Sequence, residues 1–168
     1  MRTLYLVSVF IHILSAIIWI GGMFFLALVV FPILRREGSG GLFVQLVREA
    51  GVRFRLIGWT CLLMLLLTGI FQLVYRGYGW VDLWSGPLWQ SQFGKVLALK
   101  LVAVGIIFLL SALHDFSIGP RATVLMQENP ESREAKSMRR LASWIGRVNM
   151  LLALFVLFLA LMLIRGLP

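Results

Sequence analysis

The chain contains four apolar stretches, each long enough to cross the hydrocarbon core of a lipid bilayer as a helix. They run over residues 4–34, 56–75, 96–113 and 141–164. About 20 helical residues cover the roughly 30 Å of a bilayer core. No stretch alternates apolar and polar residues as a membrane β-strand does. The sequence therefore predicts an all-α fold, an integral-membrane four-helix bundle in which residues 1–168 form a single transmembrane domain.

The composition supports a membrane protein rather than a soluble one. Hydrophobic residues make up 60% of the chain, charged residues make up only 14%, and the mean hydropathy is +0.93. A soluble domain is about half apolar and about one quarter charged. We therefore expect the lipid bilayer to be the main partner of this chain. The single cysteine, Cys61, excludes an intramolecular disulfide and any site built from several cysteines.

The positive charge is concentrated in two of the segments between the apolar stretches. Of the 16 lysines and arginines, five lie between the first and second stretches and six lie between the third and the early part of the fourth, eleven in all. Loops rich in lysine and arginine stay in the cytoplasm. We therefore expect a multi-pass protein of the cell membrane, such as a bacterial inner membrane, with both termini outside the cytoplasm. Because topology accounts for the charge of +9, we expect no nucleic-acid partner.

Polar side chains inside the predicted helices are the best candidates for function, since each costs a few kcal/mol to insert into lipid. With a rise of about 1.5 Å per residue, they fall into two levels. The level towards the outer side contains His12, Gln72 and Lys100, with Ser15 beside His12. The level towards the cytoplasm contains Ser111, His114, Arg147 and Asn149. The two histidines should lie more than about 20 Å apart along the membrane normal, too far to bind one metal.

His12 has two interpretations. It is either an interior histidine bonded to a neighbouring polar group or the ligand of a haem iron or a metal ion. A ligand histidine is neutral, and its second ring nitrogen needs a hydrogen-bond partner, for which Ser8 and Ser15 are candidates. Lys100 either extends its ammonium group to the outer interface or packs beside Gln72. As a functional group it would bind a haem propionate, a substrate carboxylate or, if neutral, a metal.

The inner level is open to a structural interpretation as well. His114 and Asp115 stand shortly before Gly119-Pro120, and this position is typical of the end of a helix. In that case the pair would close the third helix. Otherwise the inner level binds a lipid or another ligand.

Several short motifs are spread over nearly the whole chain. They are His12-x2-Ser15-Ala16-x2-Trp19-x-Gly21-Gly22-Met23, Thr68-Gly69, Lys100 and Gly146-Arg147-x-Asn149. Together these motifs resemble the membrane domain of the copper resistance protein D (CopD) family, and the resemblance implies copper transport or homeostasis.

The first helix and the position of Lys100 also resemble the HemJ-type protoporphyrinogen oxidases, which are small four-helix membrane proteins. This resemblance implies a reaction that depends on haem b and uses a histidine of the first helix and a lysine of the third. The matching positions are His12 and Lys100. The longer loop at 116–140 and the motif in the fourth helix are closer to the CopD family.

Three functions remain open at this point. In the first, His12 binds haem b, Lys100 is the opposite ligand or a propionate partner, and Gln72 adds a hydrogen bond. Such a protein would transfer electrons or oxidise a porphyrinogen, with a quinone or a porphyrin as its redox partner. In the second, His12 and His114 are separate stations for copper. In the third, the chain is a structural accessory subunit without a cofactor. Small residues in the helices would suit a homo-oligomer or a larger membrane complex.

Overall fold

The computed structural model describes residues 2–36, 41–84 and 86–165, and every regular element in these ranges is helical. The all-α prediction is confirmed. The helices are α1 (Arg2–Phe25), α2 (Phe31–Arg36), α3 (Gly41–Tyr75), α4 (Trp80–Trp84), α5 (Gly86–Gln90), α6 (Gln92–Leu113), α7 (Gly119–Glu128) and α8 (Arg133–Arg165). Two π-helical turns, Leu26–Val30 and His114–Ile118, join α1 to α2 and α6 to α7.

Four helical stretches of the described chain are long and apolar enough to cross a membrane, as the sequence predicts. They cover Arg2–Ile33, Arg48–Tyr75, Gln92–Glu128 and Arg133–Ile164. The helices extend beyond the apolar runs because the flanking basic segments are also helical. Many large apolar side chains on these helices are exposed, which suits contact with lipid.

The α-helical hydrogen bonding of α6 ends at Leu113, with His114 as its C-cap residue, but the third span itself continues beyond His114 and Asp115. The π turn carries the helical path onward into α7, and the Gly119 N–H donates to the His114 carbonyl. A π turn adds a residue without breaking the helix, and such turns are frequent at functional sites. The helical path ends at Glu128, directly before Asn129-Pro130.

The four long helices pack as two neighbouring pairs joined through α1. Helix α1 packs along α3, α6 packs along α8, and α1 also contacts α8. Each of the four contributes to a buried core, which consists of Trp19, Cys61, Leu62, Ile107 and Ala153. Along α3 and α6, the two helices that carry residues of both polar levels, this core layer lies between the levels. Close packing of apolar side chains at this depth separates the two levels.

The segment before α6 fixes the depth of the third span. Ser91 is its N-cap residue, and its Oγ accepts a hydrogen bond from the Gly94 N–H at 3.0 Å. Gly94 packs directly against the backbone carbonyl of Leu88 in α5, where a Cβ atom would overlap that carbonyl. This contact holds the first turn of α6 against α5. Lys100 follows on the same helix, less than two turns further into the span.

Candidate functional site

His12 is held by a hydrogen bond to the neighbouring helix. Its Nδ1 lies 2.7 Å from the Thr68 Oγ1, and that hydroxyl in turn donates to the Met64 carbonyl at 2.5 Å. Because the hydroxyl proton of Thr68 is directed to Met64, the neutral imidazole of His12 carries its proton on Nδ1. The lone pair on Nε2 is then free. This is the tautomer that a histidine needs in order to bind a metal or a haem iron through Nε2.

The partner of His12 differs from the one the sequence suggested. Ser8 and Ser15 were candidates, but the bond is to Thr68, and Ser8 instead donates from its Oγ to the Thr68 carbonyl at 3.5 Å. Ser8 and Ser15 lie about one turn from His12 on the same face of α1. From there a serine hydroxyl can form a hydrogen bond to α3 rather than to the imidazole of His12. Ser15 is buried on that face, between His12 and the core.

Lys100 and Gln72 complete the set of candidates at this level. Lys100 is half-buried and within electrostatic range of both His12 and Arg76. Gln72 lies one turn after Thr68 on α3, and its Nε2 is buried with no hydrogen-bond partner among the described residues. We call His12, Thr68, Gln72 and Lys100 the outer site.

The inner level forms a cavity of about 270 Å³ between α1, α3, α6 and α8. Its polar lining contains the four residues of the predicted inner level together with Trp59, Asp115 and Ser143. Those four residues are Ser111, His114, Arg147 and Asn149. We call this the inner cavity.

Asp115 is the centre of a hydrogen-bond network in the inner cavity. Its Oδ2 accepts a bond from the Trp59 Nε1 at 2.9 Å, and its Oδ1 lies 2.9 Å from the His114 Nδ1. The Arg55 Nη1 donates to the Asp115 carbonyl at 3.1 Å. Since the carboxylate accepts the proton of His114 Nδ1, the Nε2 of the neutral ring has a free lone pair.

Asn149 lies on α8 opposite this network and is only 8% exposed. Its Nδ2 donates to the Ser111 Oγ at 3.0 Å. Its Oδ1 is buried and has no hydrogen-bond partner within the described part of the chain. Arg147, which the sequence placed at the same level, lines the cavity and is exposed.

The outer site and the inner cavity are separate. His12 contacts α3 at Thr68, and Asp115 contacts α3 at Trp59, nine residues earlier. Nine residues correspond to about 14 Å along a helix. This is shorter than the separation expected for the histidines themselves, but it still far exceeds the span of one metal site. Within the described ranges, no group of three or more His, Cys, Asp or Glu side chains could hold a metal ion.

Sequence reasoning missed the role of Thr68. The position of Thr68 could have indicated this role, because Thr68 stands one turn before Gln72 on the same helix and immediately before a glycine. At Gly69 an added Cβ would lie 3.6 Å from the Cε1 of His12, so this position brings α3 close to the imidazole. Small residues at such positions allow helices to approach closely in membranes.

Comparison with known proteins gives one family and one relative. The profile of the family described as Copper resistance protein D matches residues 48–163. An uncharacterized protein of Aquifex aeolicus (strain VF5) is 28% identical over 151 residues, which cover 89% of this chain and 88% of that protein. No solved structure matches the chain.

Proposed function

The chain belongs to the copper resistance protein D family, and from this premise we propose that it is a membrane-embedded redox protein that binds haem b at the outer site. One observation carries the proposal. The His12 Nδ1 bonds to the Thr68 Oγ1, whose own proton goes to the Met64 carbonyl, so that the Nε2 of the neutral ring keeps its lone pair. A histidine in a membrane helix that is oriented in this way is suited to be an axial ligand of haem iron.

The ligand set suits haem better than a bare metal ion. A porphyrin supplies four nitrogen ligands of its own, so the protein needs to supply only one or two axial ligands. A protein site for a bare ion needs several converging side chains. In the described residues, His12 has no such companions among His, Cys, Asp and Glu side chains.

The remaining residues of the outer site match other parts of the same cofactor. Lys100 is a half-buried cation near His12, and it would serve as the opposite ligand or as the partner of a propionate. The buried Gln72 Nε2 is a hydrogen-bond donor without a partner among the described residues, and a propionate oxygen would satisfy it. Ser15 is buried on α1, about one turn after His12.

When bound, haem b would supply a reversible one-electron couple, and the protein would orient and insulate it. Trp19 and Leu62 belong to the apolar core beneath the outer site, and this core would keep water from reaching the site from the cytoplasmic side. A lipid-soluble quinone or a porphyrin would be the redox partner, with electron transfer or porphyrinogen oxidation as the reaction. We place the protein in the cell membrane as a multi-pass protein with both termini outside the cytoplasm, either as a homo-oligomer or in a larger complex.

Copper homeostasis is the second candidate, and the description of the family favours it. In this alternative His12 and His114 would each contact a copper ion in transit. A cationic Lys100 beside His12 opposes the passage of a cation, so this alternative requires the lysine to be neutral.

The absorption spectrum of the purified protein, oxidised and then reduced with dithionite, tests the proposal. We expect a Soret band, with sharp α and β bands after reduction, and about one iron per chain in a metal determination on the same sample. A colourless protein from cells supplied with haem would overturn the proposal. Stoichiometric copper in that protein would then support copper homeostasis, and the absence of both metals would support a structural accessory role.

Removing the hydroxyl of Thr68 should weaken haem binding without abolishing it. In Thr68→Val, the His12 Nδ1 loses its acceptor, and the loss of such a second partner typically weakens metal binding about 10- to 100-fold. Titration of haem into the haem-free protein measures the change. Thr68→Ser is the matched control, because it keeps the hydroxyl and should bind haem as the wild type does. Equal affinity of the valine variant and the wild type would contradict the role given to Thr68.

A further inference from the structure

The inner cavity presents hydrogen-bond acceptors on two of its sides. One is the Nε2 of His114, which is the acceptor nitrogen of the neutral ring when Nδ1 donates to Asp115. The other is the Oδ1 of Asn149, which is buried in a residue that is 8% exposed and has no partner among the described residues. A buried acceptor of this kind requires a hydrogen-bond donor. The ligand that fits therefore carries hydroxyl or N–H groups.

The other walls of the cavity are apolar and largely aromatic. They include Trp19, Met23, Phe54 and Leu62. Such walls favour a flat, apolar ring. The volume of about 270 Å³ suits a small aromatic head group rather than a whole phospholipid. Helices α1, α3, α6 and α8 all lie in apolar spans, so a ligand with an apolar tail could reach the cavity from the membrane.

The charges in the cavity disfavour an anionic head group as its main occupant. Asp115, whose carboxylate would repel a phosphate oxygen, lines the cavity together with Asn149, while the Arg55 guanidinium is directed to the Asp115 carbonyl. Arg147 is exposed and is the cation that lines the cavity among the described residues. A neutral molecule with two hydroxyl groups satisfies both acceptors without opposing the carboxylate.

We propose that the inner cavity binds the dihydroxy-aromatic head group of a lipid-soluble quinol, with one hydroxyl donating to the His114 Nε2 and the other to the Asn149 Oδ1. Trp59 is a positioning residue, because its indole N–H fixes the Asp115 carboxylate that orients His114. The proposal deepens the redox function proposed above by naming where its quinone-type partner binds. The binding itself does not depend on haem.

Isothermal titration calorimetry of the full-length protein in lipid nanodiscs tests the proposal, with decylubiquinol as the probe under anaerobic conditions. We expect saturable binding of about one quinol per chain. The oxidised form, decylubiquinone, has two carbonyl acceptors and no donor, so it should bind about tenfold or more weakly. Equal binding of both forms, or no saturable binding of either, would overturn the proposal.

Two substitutions connect the binding to the proposed acceptors. Asn149→Leu keeps a similar volume but removes Oδ1, and it should weaken quinol binding about tenfold. Asn129→Leu makes the same change at an exposed loop position and should leave binding unchanged. Because Asn149 is buried, His114→Phe provides a second variant at a half-buried position, and it should weaken binding to a similar extent. Wild-type affinity in a folded Asn149→Leu or His114→Phe protein would overturn the proposal.

Two further measurements separate this proposal from its alternatives. Quinol binding should persist in His12→Ala. A wild-type protein that binds quinol but is purified without haem would overturn the haem proposal alone, and a wild-type protein that carries haem but binds no quinol would overturn this one alone. Nanodiscs made with and without phosphatidylglycerol examine the lipid alternative. If phosphatidylglycerol abolishes quinol binding, and lipid bound to the wild type is lost in Asn149→Leu, the cavity is a phospholipid site and the proposal is wrong.

Discussion

The His12→Ala protein is expected to be purified without haem, with its Soret band and its reduced α and β bands absent. Alanine removes the only imidazole of the outer site, and no other histidine in the described residues lies at that level. Lys100, whether it is the opposite ligand or a propionate partner, and Gln72, as a hydrogen-bond donor, would not replace the lost imidazole on the iron. The effect should therefore be a loss of the cofactor rather than a small change in affinity. Absorption spectra and iron content, each per mole of protein, measure it.

The matched control is His114→Ala, which removes the other histidine of the chain. His114 contacts Asp115 in the inner cavity, about 14 Å along α3 from the level of His12. This variant should keep a full complement of haem, and imidazole added to the His12→Ala protein should restore part of the Soret band. If His114→Ala loses the haem and His12→Ala keeps it, the site has been assigned to the wrong level.

The architecture could be predicted from the sequence because the bilayer allows few solutions. A long apolar run without a partner for its backbone must form a helix in lipid, so four runs predict four helices. Their boundaries were less predictable. Helix α8 begins at Arg133 and α3 begins at Gly41, well outside the apolar runs, because charged residues such as lysine, arginine and glutamate are also good helix formers.

The two polar levels could also be anticipated, since depth follows from the residue count along a helix. The hydrogen-bond partners of the residues in these levels could not be predicted from the sequence. Which way a side chain points depends on how each helix is rotated about its axis, and packing between helices determines this rotation. Thr68 rather than Ser8 or Ser15 therefore meets His12, and the π turn at His114–Ile118 keeps Asp115 facing Trp59 instead of ending the helix.

The substitution Gly94→Ala is expected to cause a large loss of stability, in contrast to an added methyl group at Gly105 of the same helix. A Cβ at this position would overlap the carbonyl oxygen and carbon of Leu88, which belong to the backbone of α5. A backbone cannot move aside as a flexible side chain can, so α5 and α6 must separate. Overpacking of this kind costs about 3 kcal/mol. Thermal unfolding in a fixed detergent, followed by far-ultraviolet circular dichroism, measures the shift in the unfolding midpoint, because this signal reports helix content.

Gly105→Ala is the matched control because it adds the same methyl group to the same helix. An added Cβ at Gly105 has no heavy atom within 4 Å, and alanine favours a helix over glycine by up to about 1 kcal/mol. This variant should unfold at the wild-type temperature or slightly above it. If Gly94→Ala unfolds at the same temperature as Gly105→Ala, the close packing of α5 on α6 contributes nothing to stability. If it unfolds earlier and also loses haem while Gly105→Ala does not, the α5 contact also sets the position of Lys100 in the outer site.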